Sequence, residues 1–392
     1  MLASPAMPSA LPDLARLIRP GDGVVVGQAC AEPQTLTEAL VAQRASFSGA
    51  RVFLGVNYAG VIRAEHADHL RLSAYCGAGH NRAIADAGKL DIHPHHYSRL
   101  GALFRDKRLP CDVVLLQVSP PNARGEYSLG LAVDYLPPAL ASARAVIAEV
   151  NDRVPWTHTS PLLRKEDFAL LVESSREPAP APAARAGELE AAIARHAAAW
   201  VPDGATLEFG LGALPDAVCG ALAGHRALSV HSGTIGDGVA DLAARGVVGK
   251  VDCGQLIGSR RVFDFARENP AVRLLSSETT HAPRVLGAIE KFVAINSAVE
   301  VDLTGQVNAE VAKGSYLGAV GGALDFIRAA AQSPGGVSLL LVPAARVVRQ
   351  LQGPVATPRS EAGVIVTERG AADLRGCTLN ERIRRMEAIS AL

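Results

Sequence analysis

The sequence predicts an α/β protein made of two tandem open domains related by internal duplication. Apolar runs at residues 24–26, 51–56, 113–118, 145–149, 205–209, 292–296, 338–342 and 363–367 alternate with Ala- and Leu-rich helical stretches, the pattern of βαβ units around a largely parallel sheet. The chain has 392 residues, enough at roughly 150 residues per domain for two cores. Segments of the first half also recur in the second at a nearly constant offset.

The first echo pairs PGDGVVVGQACAEPQTLTEAL from Pro20 with PDGATLEFGLGALPDAVCGAL from Pro202. Each has an Asp-Gly turn, a short β-rich run, a small-residue loop and a proline opening an amphipathic helix. The interval between the two prolines, Pro20 to Pro33 and Pro202 to Pro215, is 13 residues in both. Proline suits a helix's first turn because its missing N–H leaves nothing unsatisfied there. The second echo pairs VVLLQVSPPNARGEYSLG from Val113 with VAINSAVEVDLTGQVNAE from Val293. The two offsets, 182 and 180 residues, predict two units of common topology.

Between the halves lies ESSREPAPAPAARAG, residues 173–187, where Pro and Ala alternate and large apolar residues vanish. Such a stretch favours an extended, semi-rigid linker. The expected organisation is therefore a domain over residues 1–175, a linker over 176–187 and a second domain over 188–392.

Composition narrows the function classes. Apolar residues make up 48% and charged residues 20%, typical of a soluble globular protein. Lys plus Arg equals Asp plus Glu, 39 against 39, so no overall field draws nucleic acid or an anionic membrane. No apolar stretch approaches the ~20 residues that cross a bilayer, and the N-terminus shows no basic start before an apolar run. A cytoplasmic location is expected. The cysteines Cys30, Cys76, Cys111, Cys219, Cys253 and Cys377 form no CxxC pair and read as reduced, mostly buried residues rather than a disulfide framework or zinc site.

In open parallel sheets ligands sit beyond the carboxyl ends of strands, at the loops that open helices. Two such loops stand out. Gly210, Gly212, Ala213 and Pro215 form a small-residue turn before a helix, where backbone N–H groups can approach an anion. Gly318, Val320, Gly321 and Gly322 precede the helical stretch 324–331 and could hold a carbonyl as charge builds on its oxygen. Each pattern alone also fits a plain tight turn. The run His93-Pro94-His95-His96 has imidazoles but no accompanying carboxylate or thiolate; it reads as a surface or domain-contact run, and no metal is expected.

Six ordered segments, residues 112–135, 146–158, 207–218, 295–310, 317–330 and 366–383, resemble the acetyl-CoA hydrolase/transferase family, the group of family I CoA-transferases that includes the 4-hydroxybutyrate CoA-transferases. The resemblance implies two CoA-transferase-type domains, with coenzyme A as an acyl-CoA substrate or ligand and a small carboxylate or other acyl acceptor. It also implies a homodimer or pairing with a related subunit. The family's chemistry uses one glutamate, in a segment reading roughly HTEMFSDG, as a nucleophile that becomes a glutamyl thioester. Here the stretch reads HSGTIGDG: His231, Asp237 and Gly238 match, and Gly233 stands at the glutamate's place. No glutamate lies between Glu208 and Glu268, and glycine offers no nucleophile. Gly322-Ala323 likewise stands where the family has Gly-Gln.

The expected function is therefore action on an acyl-CoA thioester by hydrolysis or direct acyl transfer, without a glutamyl-CoA intermediate. His231, Ser232, Glu278 and His281 are the candidate catalytic groups, His231 for proton transfer with Ser232 beside it, and Glu278 with His281 as an acid/base pair. Two alternatives stand beside this one: a non-catalytic CoA-responsive or scaffolding subunit, and an ordinary acyl-CoA:carboxylate CoA-transferase.

Overall fold

The structure, a computed structural model, describes residues 11–182 and 187–392; residues 183–186 of the expected linker lie outside the described residues. The chain forms two compact units. The first takes residues 11–95, Arg99–Pro182 and Gln255–Ser276, and the second takes His96–Ser98, 187–254 and Ser277–Leu392. Neither unit is one continuous stretch of chain.

In the first unit seven strands form one sheet: β1 (Gly23–Val26), β2 (Arg51–Leu54), β3 (Arg71–Ala74), β4 (Leu90–Ile92), β5 (Val113–Val118), β6 (Ala145–Asn151) and β7 (Leu170–Ser174). Their spatial order is β4-β3-β2-β1-β5-β6-β7, and every pair is parallel. The GVVV of β1 and VVLLQV of β5 are buried at every residue, which is why their sequences run apolar instead of alternating. Helix α1 (Gln34–Ala42) follows Pro33 as expected. Its first-turn amides are held by Glu149 of β6, whose carboxylate accepts from the Thr35 and Leu36 N–H groups and from the Thr35 hydroxyl.

The second unit opens with α2 (Glu188–Ala198), then β8 (Thr206–Phe209), α3 (Ala213–Ala221), β9 (Leu228–Ile235) and β10 (Val248–Leu256). After the excursion into the first unit come α4 (Ser277–Thr280), β11 (Phe292–Ser297), α5 (Ala323–Gln332), β12 (Val337–Leu341), β13 (Val364–Thr367), β14 (Gly370–Asp373) and α6 (Leu379–Ile389). Within this unit the strands run in the order β14-β13-β12-β11-β8-β9-β10, parallel at β9/β8, β8/β11, β11/β12 and β12/β13, with β14 antiparallel on the edge. The arrangement β3-β2-β1-β5-β6 of the first unit thus matches β10-β9-β8-β11-β12 of the second. The two echoes fall on β1/β8 and on β5/β11, so the duplication read in the sequence is a duplication of topology.

All eight apolar runs are strands or lie within them, to within two residues at the ends. The sequence reading missed β9, because His231, Ser232 and Gly233 interrupt its apolar pattern. All six cysteines are free thiols, five buried and Cys377 half-buried. No helix among the described residues is long and apolar enough to cross a membrane.

Stability in such a fold resides in the cores. Leu115 of β5 is fully buried in the first unit's apolar cluster, so Leu115→Ala is expected to cost about 2–5 kcal/mol. Arg328→Ala, which removes only a half-exposed ion pair with Glu361, should cost less than about 1 kcal/mol. Urea denaturation of the two variants checks this; equal losses would contradict it.

Candidate active site

In β9 the strand alternation sends His231 and Gly233 to one face and Ser232 to the other. On the first face, His231 is 5% exposed and its Nε2–H donates to the Thr280 carbonyl at the end of α4, 2.9 Å away. On the other, the fully buried Ser232 hydroxyl ties strands together: it donates to the Thr234 carbonyl at 2.7 Å and meets the Phe209 N–H at 3.2 Å. Backbone groups occupy that hydroxyl.

The next residue after α4 is His281, 3% exposed. Its Nδ1 lies 2.9 Å from the Thr280 hydroxyl, and its N–H donates to the Ser277 carbonyl at 3.0 Å. The ring packs against Phe326 of α5 at 4.5 Å between centroids and against Tyr97 at 5.1 Å. Its other edge faces two glycines. A Cβ built on Gly233 would stand 3.2 Å from His281 Cε1 and 3.4 Å from Nε2, and one built on Gly322 would stand 2.4 Å from Nε2. The place beside Gly233 is therefore filled by an imidazole edge, which only a glycine at 322 admits. Burial, and then the neighbouring His231, push the His281 pKa down from 6.5 to about 3, so the ring is neutral at pH 7.

Glu278, expected as the partner of His281, is exposed on α4, and no hydrogen bond or ion pair joins the two side chains. The structure brings together His231, His281, Gly233 and Gly322, and turns Glu278 and Ser232 elsewhere.

Gly322 is the last residue before α5 and its carbonyl accepts from the Asp325 and Phe326 N–H groups, starting the helix. Gly321 has φ +58°, and its carbonyl accepts from the Tyr97 N–H at 2.9 Å. Gly318 sits against the Ala309 carbonyl, 1.9 Å from where a Cβ would be. Val320 is half-buried between them. The other loop starts with Gly210, whose N–H donates to the Ile295 carbonyl at 2.8 Å and whose missing side chain makes room for Asn296. Gly212, with φ +123°, precedes α3, in which Ala213 is the first residue and Pro215 the third, within the first turn. Asp216 and Asp325 already place negative charge in the first turns of α3 and α5, which makes these helix starts better suited to a carbonyl oxygen than to a phosphate.

One group of this site carries no motif in the sequence. Glu208, at the carboxyl end of β8, is 2% exposed and accepts from Asn296 Nδ2 at 2.7 Å. Burial raises its pKa from 4.5 to about 8 against the opposing pull of Asn296 and the Ile295 amide, so it is largely a protonated acid at neutral pH. Its one sequence signal is its position at the carboxyl end of an apolar run, where parallel sheets place ligands. Among the described residues no group of three or more His, Cys, Asp or Glu is arranged to hold a metal ion. His93 and His95 stack on each other at 6.3 Å.

His281 and Glu208 titrate in opposite directions with folding. The unfolded chain binds the His281 proton more readily, so stability falls as pH drops from 6.5 towards 3; the folded chain holds the Glu208 proton more tightly, so stability falls as pH rises from 4.5 towards 8. At ~1.4 kcal/mol per pH unit, Glu208 alone takes away about 2 kcal/mol between pH 6.5 and 8. Glu208→Gln should remove most of that loss in urea unfolding at the two pH values. An unchanged pH dependence would show the Glu208 carboxyl to be ionised in the folded protein.

Two comparisons of sequence bear on what this site does. Residues 9–161 match the acetyl-CoA hydrolase/transferase N-terminal domain and residues 258–391 the corresponding C-terminal domain. The chain is 35% identical over 384 residues to a 4-hydroxybutyrate coenzyme A transferase of Clostridium kluyveri, covering 92% of this chain and 89% of that one. It is 34% identical over 337 residues to a succinyl-CoA:acetate/propanoyl-CoA:succinate CoA transferase of Fasciola hepatica, covering 80% and 70%. In structure it superposes on RipA from Yersinia pestis with a TM-score of 0.91 at 28% identity, covering 96% of this chain and 92% of RipA.

Proposed function

This chain belongs to the acetyl-CoA hydrolase/transferase family, and we propose that it acts on an acyl-CoA thioester by hydrolysis or direct acyl transfer, without a glutamyl-CoA intermediate. One observation carries the reading: towards the carboxyl end of β9 stands Gly233, backed by the neutral ring of His281, which Gly322 also meets. No carboxylate stands there to capture CoA. Of the nearby acids, Glu208 is protonated and bonded to Asn296, and Glu278 points to solvent. A protonated or solvent-facing carboxyl is a poor nucleophile towards a thioester on this face.

The family membership supports acyl-CoA as the substrate. Gly210, Gly212, Ala213 and Pro215 on one side, with Gly318, Val320, Gly321 and Gly322 on the other, are the residues assigned to hold it. Among them, a Cβ at Gly212 would meet nothing within 4 Å and one at Gly321 nothing nearer than 3.6 Å, so the backbone there is open to a ligand. The acceptor is water or a small carboxylate; the relatives' names, with acetate and succinate as acceptors, favour testing the latter as well.

The test is mass spectrometry of the protein with a panel of short acyl-CoAs, with and without acetate, followed by hydroxylamine or borohydride. The expected result is free CoA with released acid, or acyl transfer, while every glutamate stays unmodified. A glutamyl-CoA adduct, at Glu208 for instance, would overturn the reading in favour of ordinary CoA transfer. Binding of acyl-CoA without turnover would favour a non-catalytic CoA-responsive subunit.

A further inference from the structure

The placement of His281 assigns it a specific part in that chemistry. Its Nδ1 is engaged by Thr280 at 2.9 Å, whereas Nε2 has no hydrogen-bond partner among the described residues and points between the half-buried glycines 233 and 322. Phe326 and Tyr97 hold the ring on its sides, and the Gly321 carbonyl, bonded to the Tyr97 N–H, ties the glycine loop to the same assembly. A buried donor whose direction is fixed before the substrate arrives needs no reorganisation when charge develops on it.

We propose that His281 is a catalytic residue: with the Thr280 hydroxyl donating to Nδ1, its Nε2–H donates to the acyl carbonyl oxygen of a thioester lying over Gly233 and Gly322. This rests on the reading that the protein acts on acyl-CoA. In the hydrolytic case, water's oxygen forms the new C–O bond as the carbonyl π pair moves onto oxygen, where the Nε2–H holds the charge. When the pair returns, the C–S bond breaks and CoA leaves as a thiolate. The thiolate takes one proton of the water, and the other passes to solvent as the product acid ionises. His281 remains neutral throughout, an electrophile rather than a base. Its burial agrees with this: a ring that resists protonation is a weak base yet keeps its N–H to donate.

Two variants separate this role from a merely structural one. His281→Phe keeps the aromatic packing but has no donor; His281→Gln carries an amide N–H able to reach the position of Nε2. The expected result is a kcat for His281→Phe about 100–1,000-fold below wild type, with KM changed by less than about threefold and an unaltered melting temperature, and recovery of about tenfold or more in His281→Gln. A second readout needs no turnover. A CoA thioether ketone with a 13C-labelled carbonyl, bound to the wild-type protein, should show a lowered C=O stretching frequency, returning to the free value in His281→Phe. A kcat within about threefold of wild type together with an unshifted carbonyl band would overturn the proposal. A lowered band in a wild-type protein that turns over no acyl-CoA would instead defeat the hydrolase or acyl-transferase reading while leaving the hydrogen bond standing. Should His281→Phe fail to fold, the band is compared between wild type and His281→Gln, and its absence in the wild type overturns the proposal.

Discussion

The candidate site is organised by one packing constraint, the seating of the His281 ring edge against the backbone of Gly233 and Gly322. Everything around it is consistent with holding that ring in one orientation. The strand β9 delivers Gly233 beside it, the start of α5 delivers Gly322, and α4 delivers the histidine itself. The ring excludes a side chain at 322 and crowds one at 233. At 322 a methyl group would penetrate the ring at 2.4 Å, and at 233 the contact of 3.2 Å is tighter than side chains ordinarily make. The absence of a side chain at 233 is thus the counterpart of a particular side chain at 281.

The constraint is electrostatic as well as steric. Burial denies His281 its cationic form, and the neighbouring His231 lowers its pKa further. On β8 the same loss of water acts on Glu208 with the opposite sign, keeping its proton on. His281 and Glu208 are accordingly both uncharged at neutral pH, and a hydrogen bond from a buried neutral donor to a developing oxyanion is strong. Two ionised groups in the same volume would have cost several kcal/mol each in lost hydration.

The architecture was largely legible because its signals are local or repeated. Buried parallel strands such as β5 and β12 are continuous apolar runs, and the twin prolines, Pro33 and Pro215, mark the start of equivalent helices. The duplication showed itself as a constant offset. What escaped was decided by neighbours distant in sequence. Strand β9 was hidden because its central residues, His231 to Gly233, are poor strand formers individually and are held by Ser232's bonds to Phe209 and by β8. The sequence singled out Gly233 and His281 separately, but their contact depends on how α4 returns over the sheet after the excursion through the first unit. The proposed pairing of Glu278 with His281 rested on proximity in the chain, whereas one side chain turns out to solvent and the other inward. Tyr97, carried far upstream, and Glu208, an acid inside an apolar run, announce nothing of their role.

The most direct measurement of the central claim is 15N NMR of the protein with labelled histidine, recorded from pH 7.5 down to pH 5, with His281→Phe to assign the resonance. The account predicts a His281 ring that stays neutral across that range with the proton on Nε2. A His281 that becomes cationic near its ordinary pKa of ~6.5, or that carries its proton on Nδ1, would contradict it.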